Sequence, residues 1–217
     1  MIGPVPVSLA ARDLEHFFAP RRGLGRVSFA CSGPGCVAVT GANGSGKSTL
    51  LRIIAGLLRQ HTGSVELKVG GRGLPAAERR HAVGYASPEL AFYDELTVEE
   101  NLMFVAEARG LDRPAAAIAA VLERVQLEGR RDDRVSALSS GMKQRLRMAF
   151  ALLHRPEVLL LDEPGSHLDE EGRAVNAAII EEHRTAGLVV VATNDEREWR
   201  VAEQRIELRG RGLGHSA

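Results

Sequence analysis

The sequence predicts an α/β fold, and three observations carry that prediction. Short, continuous apolar runs occur at 36–40, 158–161 and 188–192, and the first is rich in β-branched residues. Such runs are typical of parallel strands that are buried on both faces. Longer helical patterns separate the runs, and strands that alternate with helices indicate an α/β protein. Between 97 and 154 the signals are helical only, which indicates a helical insert.

Length and composition exclude several classes of protein. The chain has 217 residues, of which 44% are hydrophobic and 26% charged, values typical of one globular domain. It has 28 basic and 28 acidic residues, and zero net charge argues against direct nucleic-acid binding. Apolar runs fall short of the roughly 20 residues that span a bilayer. Residues 1–10 lack the pattern of a signal peptide, so we expect a cytoplasmic protein.

The first part of the chain has the clearest strand signals. Runs at 6–9 and 64–69 are expected to form more exposed strands than the three continuous runs. The run at 36–40 leads through glycines into a helix that we expect to extend from Lys47 to about Leu58. The two cysteines, Cys31 and Cys36, are too few for a zinc site and are expected to be reduced thiols near a strand.

Three helices are predicted in the middle of the chain. Thr97 and Glu100 have the spacing of a capping box, which opens a helix that ends near Arg109. A second helix is expected at 114–128 and a third at 141–153.

We therefore predict one domain over 1–217, in which 1–84 and 146–217 form the core and 85–145 form a helical subdomain. The glycine-containing tail from Gly210 onward is expected to fray.

A glycine-rich motif follows the first continuous strand. Its residues match the pattern G-x-x-x-x-G-K-[ST] and are Gly41, Ala42, Asn43, Gly44, Ser45, Gly46, Lys47 and Ser48. Backbone N–H groups of such a loop and the following helix N-terminus bind phosphate. Lys47 would reach the β- and γ-phosphates, and the Ser48 hydroxyl would bind Mg²⁺. The strand before the motif and the helix after it argue against a chance glycine-rich turn.

Two acids, Asp162 and Glu163, end the continuous run that begins at Val158. Ligands of open α/β sheets bind at the carboxyl ends of the strands. One carboxylate there can hold Mg²⁺ and the other can polarise an attacking water. The alternative is that both acids are solvated at the start of a loop.

Over residues 5–208 the order of motifs resembles that of ATP-binding subunits of ATP-binding cassette (ABC) transporters. The glycine-rich motif comes first, and 138–142, Leu-Ser-Ser-Gly-Met, stand in place of the L-S-G-G-Q signature. The strand that ends in Asp-Glu-Pro at 162–164 follows, and Ser-His-Leu-Asp at 166–169 resembles the S-A-L-D loop.

The resemblance implies a fold, cofactors and partners. The fold would be a P-loop NTPase core with a mostly parallel sheet, an antiparallel N-terminal β-subdomain and an inserted helical subdomain. ATP and Mg²⁺ would be the cofactors. The partners would be a second ABC ATPase subunit, as homodimer or heterodimer, and a membrane-spanning transporter subunit on the inner face of the membrane.

The resemblance also implies residue roles. Asp162 would hold Mg²⁺, and Glu163 would be the general base or would orient the water. An aromatic residue before the second strand would stack on adenine, and Phe18 is better placed than Phe17, although either ring could instead pack in the core. The remaining residues are Thr49 and Asn194 at the nucleotide, Ser139, Ser140, Gly141 and Met142 at ATP bound by the other subunit, and Asp169 at the dimer seam.

This sequence departs from the family pattern at four places. Ser140 replaces a Gly and Met142 a Gln in the signature, and Asn194 replaces a His. The family's Gln at the junction between core and helical subdomain is absent, since Pro88 aligns with it, and Ser87 and Glu89 are the candidate substitutes. We nevertheless expect slow, Mg²⁺-dependent ATP hydrolysis, because Glu163 is present.

The leading hypothesis is an ATPase that powers a separate membrane subunit. In that case the apolar segment 90–93 would dock the membrane subunit, the alternative being that it packs within the helical insert. A regulator that binds ATP with weak hydrolysis, and a soluble ABC ATPase outside transport, are the alternative functions.

Overall fold

A computed structural model describes residues 5–19 and 22–209. The start of the chain at 1–4 and the tail from Gly210 lie outside the described residues, and so does the prediction that the tail frays. The strands are β1 (Val7–Ala19), β2 (Arg22–Gly33), β3 (Gly35–Thr40), β4 (Thr62–Val69), β5 (Arg72–Gly73), β6 (Val83–Ala86), β7 (Val158–Asp162), β8 (Leu188–Ala192) and β9 (Gln204–Glu207). The helices are α1 (Lys47–Ile54), α2 (Ala76–Ala82), α3 (Val98–Ala108), α4 (Pro114–Arg124), α5 (Ser140–Leu152), α6 (Glu170–Arg184) and α7 (Glu196–Trp199).

The strands form two sheets. One is antiparallel, with strand order β2-β1-β4-β5, and the other has the order β6-β7-β8-β3-β9 with every pair parallel. All five residues of β7 and of β8 are buried, as expected for strands covered on both faces. The predicted α/β fold, with its antiparallel sheet, its parallel sheet and its run of helices, is confirmed.

Two apolar clusters cover the two faces of the parallel sheet. Alternate residues of β7 point to opposite sides, so that Leu160 joins one cluster and Leu161 the other. The first cluster contains α1 and the inner face of the antiparallel sheet. The second contains side chains of α3, α4, α5 and α6. Helix α1 is therefore held between the two sheets, and the helical segment covers the other face.

Several element boundaries differ from those predicted. Helix α1 ends at Ile54 rather than near Leu58, because Gly56 has φ of 78° and a Cβ there would lie 2.4 Å from the Ala76 carbonyl oxygen. The second helix ends at Arg124 rather than near Glu128, and a short 3₁₀ turn covers Glu128–Arg130. The predicted division of the chain at 145 falls inside α5.

The capping box and the first strand can also be compared with prediction. The capping box at the start of α3 is confirmed, since Thr97 and Glu100 exchange two hydrogen bonds of 2.7 and 3.1 Å. Strand β1 is longer than the predicted strand at 6–9. Within the described residues, each helix is too short or too polar to cross a lipid bilayer.

Candidate nucleotide-binding site

The parallel sheet brings the predicted site residues to one edge. Strand β8 lies between β3 and β7, so the loops that follow these three strands are neighbours. They carry the glycine-rich motif after β3, Asp162 and Glu163 at the end of β7, and Asn194 after β8. This is the edge at which open α/β sheets bind ligands, because the carboxyl ends of parallel strands meet there.

The glycine-rich loop is packed closely against β2. Gly46 precedes α1 with φ of 101°, and a Cβ at this position would lie 2.8 Å from the Leu24 Cα. Only glycine combines this backbone conformation with so close an approach. The conformation presents the first N–H groups of α1 at the sheet edge, where they can bind an anion.

Lys47 and Asn194 link two of the loops. The Lys47 side chain is buried, and its Nζ donates to the Gly41 carbonyl oxygen at 2.8 Å and to Asn194 Oδ1 at 3.2 Å. Asn194 Nδ2 donates to Asn43 Oδ1 at 2.8 Å. The amide of Asn194 therefore lies directly beside the Lys47 ammonium group.

Asp162 and Ser48 form an oxygen-rich pair. Asp162 is 4% exposed, and the Ser48 hydroxyl donates a hydrogen bond to its carboxylate. Burial, together with the neighbouring charge of Glu163, raises the pKa of Asp162 above its ordinary value, and the bond from Ser48 opposes this shift.

A hard divalent cation fits these residues, because Mg²⁺ prefers oxygen ligands and would compensate the buried charge of Asp162. Clusters of three or more His, Cys, Asp or Glu side chains with metal-binding spacing are absent from the described part of the chain. Ser48 and Asp162 would therefore hold Mg²⁺ together with oxygen atoms from nucleotide and water.

Glu163 has an unusual backbone conformation. Its φ is 47°, in the left-handed region, and its N–H donates to the Ala192 carbonyl oxygen at 2.8 Å. Its side chain is exposed. Such a conformation costs a non-glycine residue on the order of 1 kcal/mol and is commonest at functional sites.

A cleft of about 590 Å³ lies over the glycine-rich loop. Phe18 forms one wall of the cleft, and its ring is 60% exposed. Phe17 is 40% exposed, so neither ring is buried in the core. The remaining lining residues are Gly23, Asn43, Gly44, Gly46, Lys47, Ser48, Thr49, Arg52, Glu89 and Glu163. The predicted P-loop residues, Phe18 and Glu163 thus share one cleft.

Two residues at this site, Arg52 and Gln144, were not predicted. Arg52 forms an ion pair at the rim of the cleft with Glu89, one of the two candidate substitutes for the family's Gln. The spacing of Ser48 and Arg52 on one helix face was the signal for Arg52. Gln144 of α5 is buried, and its Nε2 donates to the Pro164 carbonyl oxygen at 3.2 Å. Gln144 therefore connects the helix that follows the signature to the loop that carries Glu163.

The signature residues and Asp169 do not line this cleft. Ser139 is the N-cap of α5, and its Oγ accepts a hydrogen bond of 3.2 Å from the Met142 N–H. Ser140 and Gly141 lie in the first turn of that helix. Asp169 caps α6, with its Oδ1 2.9 Å from the Gly172 N. These residues therefore do not contribute to the P-loop cleft of their own chain.

The fold and the site define a P-loop nucleotide-binding domain. It has a glycine-rich loop after one strand, two acids at the end of a second and the polar side chain of Asn194 after a third. Residues 24–166 match the family described as ABC transporter. The chain belongs to the ABC transporter family, as one of its nucleotide-binding domains.

Two curated proteins are similar in sequence to most of this chain. The linearmycin resistance ATP-binding protein LnrL of Bacillus subtilis is 32% identical over 194 residues, 88% of this chain and 62% of that protein. The chain thus spans about three fifths of that relative's length. The cytochrome c biogenesis ATP-binding export protein CcmA of Brucella abortus is 39% identical over 187 residues, 84% of each chain.

Solved structures give the same fold. A dimeric ATP-binding cassette in a post-hydrolysis state, bound to ADP and Pi, superposes with a TM-score of 0.81 and 22% identity. The superposition covers 93% of this chain and 94% of the other. At this identity the likeness establishes the fold.

Proposed function

We propose that the protein binds and hydrolyses Mg-ATP to drive a separate membrane-spanning transporter subunit. The observation that carries the proposal is the convergence of Lys47, Asp162, Glu163 and Asn194 on one sheet edge. Membership of the ABC transporter family supports it.

In this proposal the P-loop amides and Lys47 bind the phosphates, and Phe18 stacks on the adenine. Mg²⁺, held by Ser48 and Asp162, would offset the charge that develops on the transferred phosphoryl group. The Asn194 amide would donate to a γ-phosphate oxygen, but it cannot carry a proton as a histidine can. Glu163 would accept a proton from the attacking water or orient that water.

The junction after β6 favours a second function, an ATP-binding regulator with weak hydrolysis. Pro88 stands where the family has Gln, and the polar side chain that reaches the cleft from this segment is Glu89, ion-paired to Arg52. Because a carboxylate paired to arginine orients a water differently from a neutral amide, slow turnover is expected. A single-turnover measurement of ATP cleavage distinguishes the two functions.

Substitution of the proposed general base tests hydrolysis. Glu163→Gln is expected to lower the rate of phosphate release by about 100-fold or more, because the amide cannot accept the proton. Phosphate release is measured at saturating ATP with Mg²⁺ and with EDTA. Glu157→Gln, at the other end of the same strand, is the control and should hydrolyse ATP normally. Equal turnover of Glu163→Gln and the wild type would contradict the assignment of Glu163.

The docking surface for the membrane subunit is proposed on the helical segment. Tyr93 and Phe104 are 56% and 57% exposed, and their rings pack edge to face at 5.9 Å. Phe92 packs against Phe150, and both rings line a groove of about 420 Å³. An exposed aromatic pair beside an apolar groove is typical of protein interfaces. In this proposal the protein lies at the inner face of the membrane, bound through this groove.

A further inference from the structure

Two histidines lie behind the aromatic wall of the cleft. His16, on β1, is 5% exposed, and its ring contacts that of Phe18 edge to face at 4.6 Å between centroids. His61, just before β4, stacks on Phe17 with centroids 3.8 Å apart. The two Nδ1 atoms of the histidines are 3.0 Å apart. The pair thus contacts both aromatic residues at the end of β1.

The hydrogen bonds fix the tautomer of each histidine. His16 Nδ1 lies 2.9 Å from the Arg59 carbonyl oxygen, which can only accept, so His16 Nδ1 carries the proton. That N–H is shared with His61 Nδ1, which must therefore present its lone pair. The Phe17 N–H also points to His61 Nδ1, at 3.4 Å. A proton on His61 Nδ1 would oppose two donors and break the network.

We propose that His16 and His61 are positioning residues that hold the Phe18 ring against the adenine base. The proposal rests on the proposed role of Phe18 in nucleotide binding. His16 acts on Phe18 through the edge-to-face contact, and His61 fixes His16 and Phe17. Affinity for ATP then depends on the acceptor at His61 Nδ1.

The surroundings favour a neutral His16. Burial and the nearby His61 lower the pKa of His16, and the bond to Arg59 opposes this shift. The neutral ring donates through Nδ1 to the Arg59 carbonyl oxygen and contacts Phe18 without placing an unpaired buried charge behind the cleft.

The decisive experiment measures the dissociation constant of ATP by calorimetry for His61 variants. His61→Leu removes the acceptor and is expected to weaken binding about 3- to 10-fold at pH 7.5, the range of one aromatic contact. His61→Asn retains an acceptor oxygen and should bind ATP within about twofold of the wild type. Rescue by the amide distinguishes loss of the hydrogen-bond acceptor from loss of packing.

Two further variants show whether the effect passes through Phe18. In a Phe18→Ala background, His61→Leu should weaken binding no further, since the ring on which it acts is gone. His81→Asn, at an exposed histidine on α2, is the control and should leave the affinity for ATP unchanged.

The outcomes separate this inference from the proposed function. If Phe18→Ala binds ATP like the wild type, the adenine-stacking role of Phe18 is wrong. If Phe18→Ala weakens binding while His61→Leu does not, only the positioning role is overturned. If His61→Leu does not fold, His61→Ala, which also lacks the acceptor, takes its place, and wild-type affinity in that variant overturns the proposal.

Discussion

At the scale of one residue, the buried carboxylate of Asp162 lowers the stability of the folded chain. Its pKa is raised in the fold, so at neutral pH the ionised form is less stable in the folded chain than in the unfolded chain. This destabilisation is fully present above the pKa that Asp162 has in the folded chain, and it decreases as pH falls through that pKa. It vanishes below the pKa that Asp162 has in the unfolded chain. Bound Mg²⁺ would remove the same cost by compensating the charge.

Asp162→Asn is therefore expected to melt at a higher temperature than the wild type when nucleotide is absent. A gain of about 1 kcal/mol corresponds to roughly 2–4 °C for a chain of this size. The difference should shrink as pH is lowered toward 4. The same variant should lose the stabilisation that Mg-ATP gives to the wild type. The melting temperature and its increase on adding Mg-ATP are measured by thermal denaturation at pH 7.5, with EDTA or with Mg-ATP.

Asp195→Asn is the control for this prediction. Hydrogen bonds from Arg197 lower the pKa of Asp195 to about 2, so neutralising it has no stabilising effect. A melting temperature of Asp162→Asn equal to or below that of the wild type would contradict the argument.

The sequence alone predicts the position of those site residues that a local strand or helix pattern locates. Asp162 ends β7, and Lys47 begins the helix that follows β3. Because both lie at carboxyl ends of parallel strands, the strand pattern is enough to predict that they are close together. Arg52 and Gln144 were not predicted, because each meets its partner through tertiary packing of distant segments. Ser48 and Arg52 share a helix face, but the pattern does not show which carboxylate lies opposite.

At the scale of elements, Arg79 caps the C-terminal end of α1. The residue is 6% exposed, and burial lowers its pKa. Its guanidinium donates to the carbonyl oxygens of Ile53 and Ile54 at 3.2 and 3.3 Å and to that of Val65 at 2.7 Å. A cation at a helix C-terminus complements the helix dipole. Arg79 therefore joins the P-loop helix to β4.

Arg79→Met is expected to destabilise the fold by about 3 kcal/mol or more, since it leaves several buried carbonyl groups without donors. Urea unfolding measures the loss. Arg80→Met, at the exposed neighbouring position, should change the free energy of unfolding by less than about 0.5 kcal/mol. Similar stabilities for the two variants would show that Arg79 is not needed to cap α1.

The elements themselves were predictable to different degrees. Strands β3, β7 and β8 are continuous apolar runs, and their pattern placed them correctly. Strand β1 extends past the predicted strand because Asp13, with φ of 46°, interrupts the alternation and shifts the register without ending the pairing. Strand β2 has three glycines among its twelve residues, and its pairing with β1 sustains it.

At the scale of the whole molecule, the predicted site is divided between two places. Ser139 and its neighbours begin α5 but do not line the cleft that holds Lys47 and Glu163. If both sets bind one nucleotide, a second subunit, either a copy of this chain or a related ATPase subunit, must supply the signature; the homodimer is the case tested below. A two-fold symmetric, head-to-tail dimer then has two composite sites, each with the P-loop of one copy and the signature of the other.

Mixing two inactive variants tests this arrangement. Lys47→Ala removes the phosphate-binding cation, and Ser139→Asp keeps a residue that caps α5 while its charge repels phosphate. In a mixed dimer one composite site carries both lesions and the other carries none. Random mixing makes about half of the dimers mixed, each with one intact site, so about a quarter of wild-type phosphate release is expected. If each chain instead hydrolyses ATP alone, an equal mixture is no more active than the mean of the two variants, because no intact site can form.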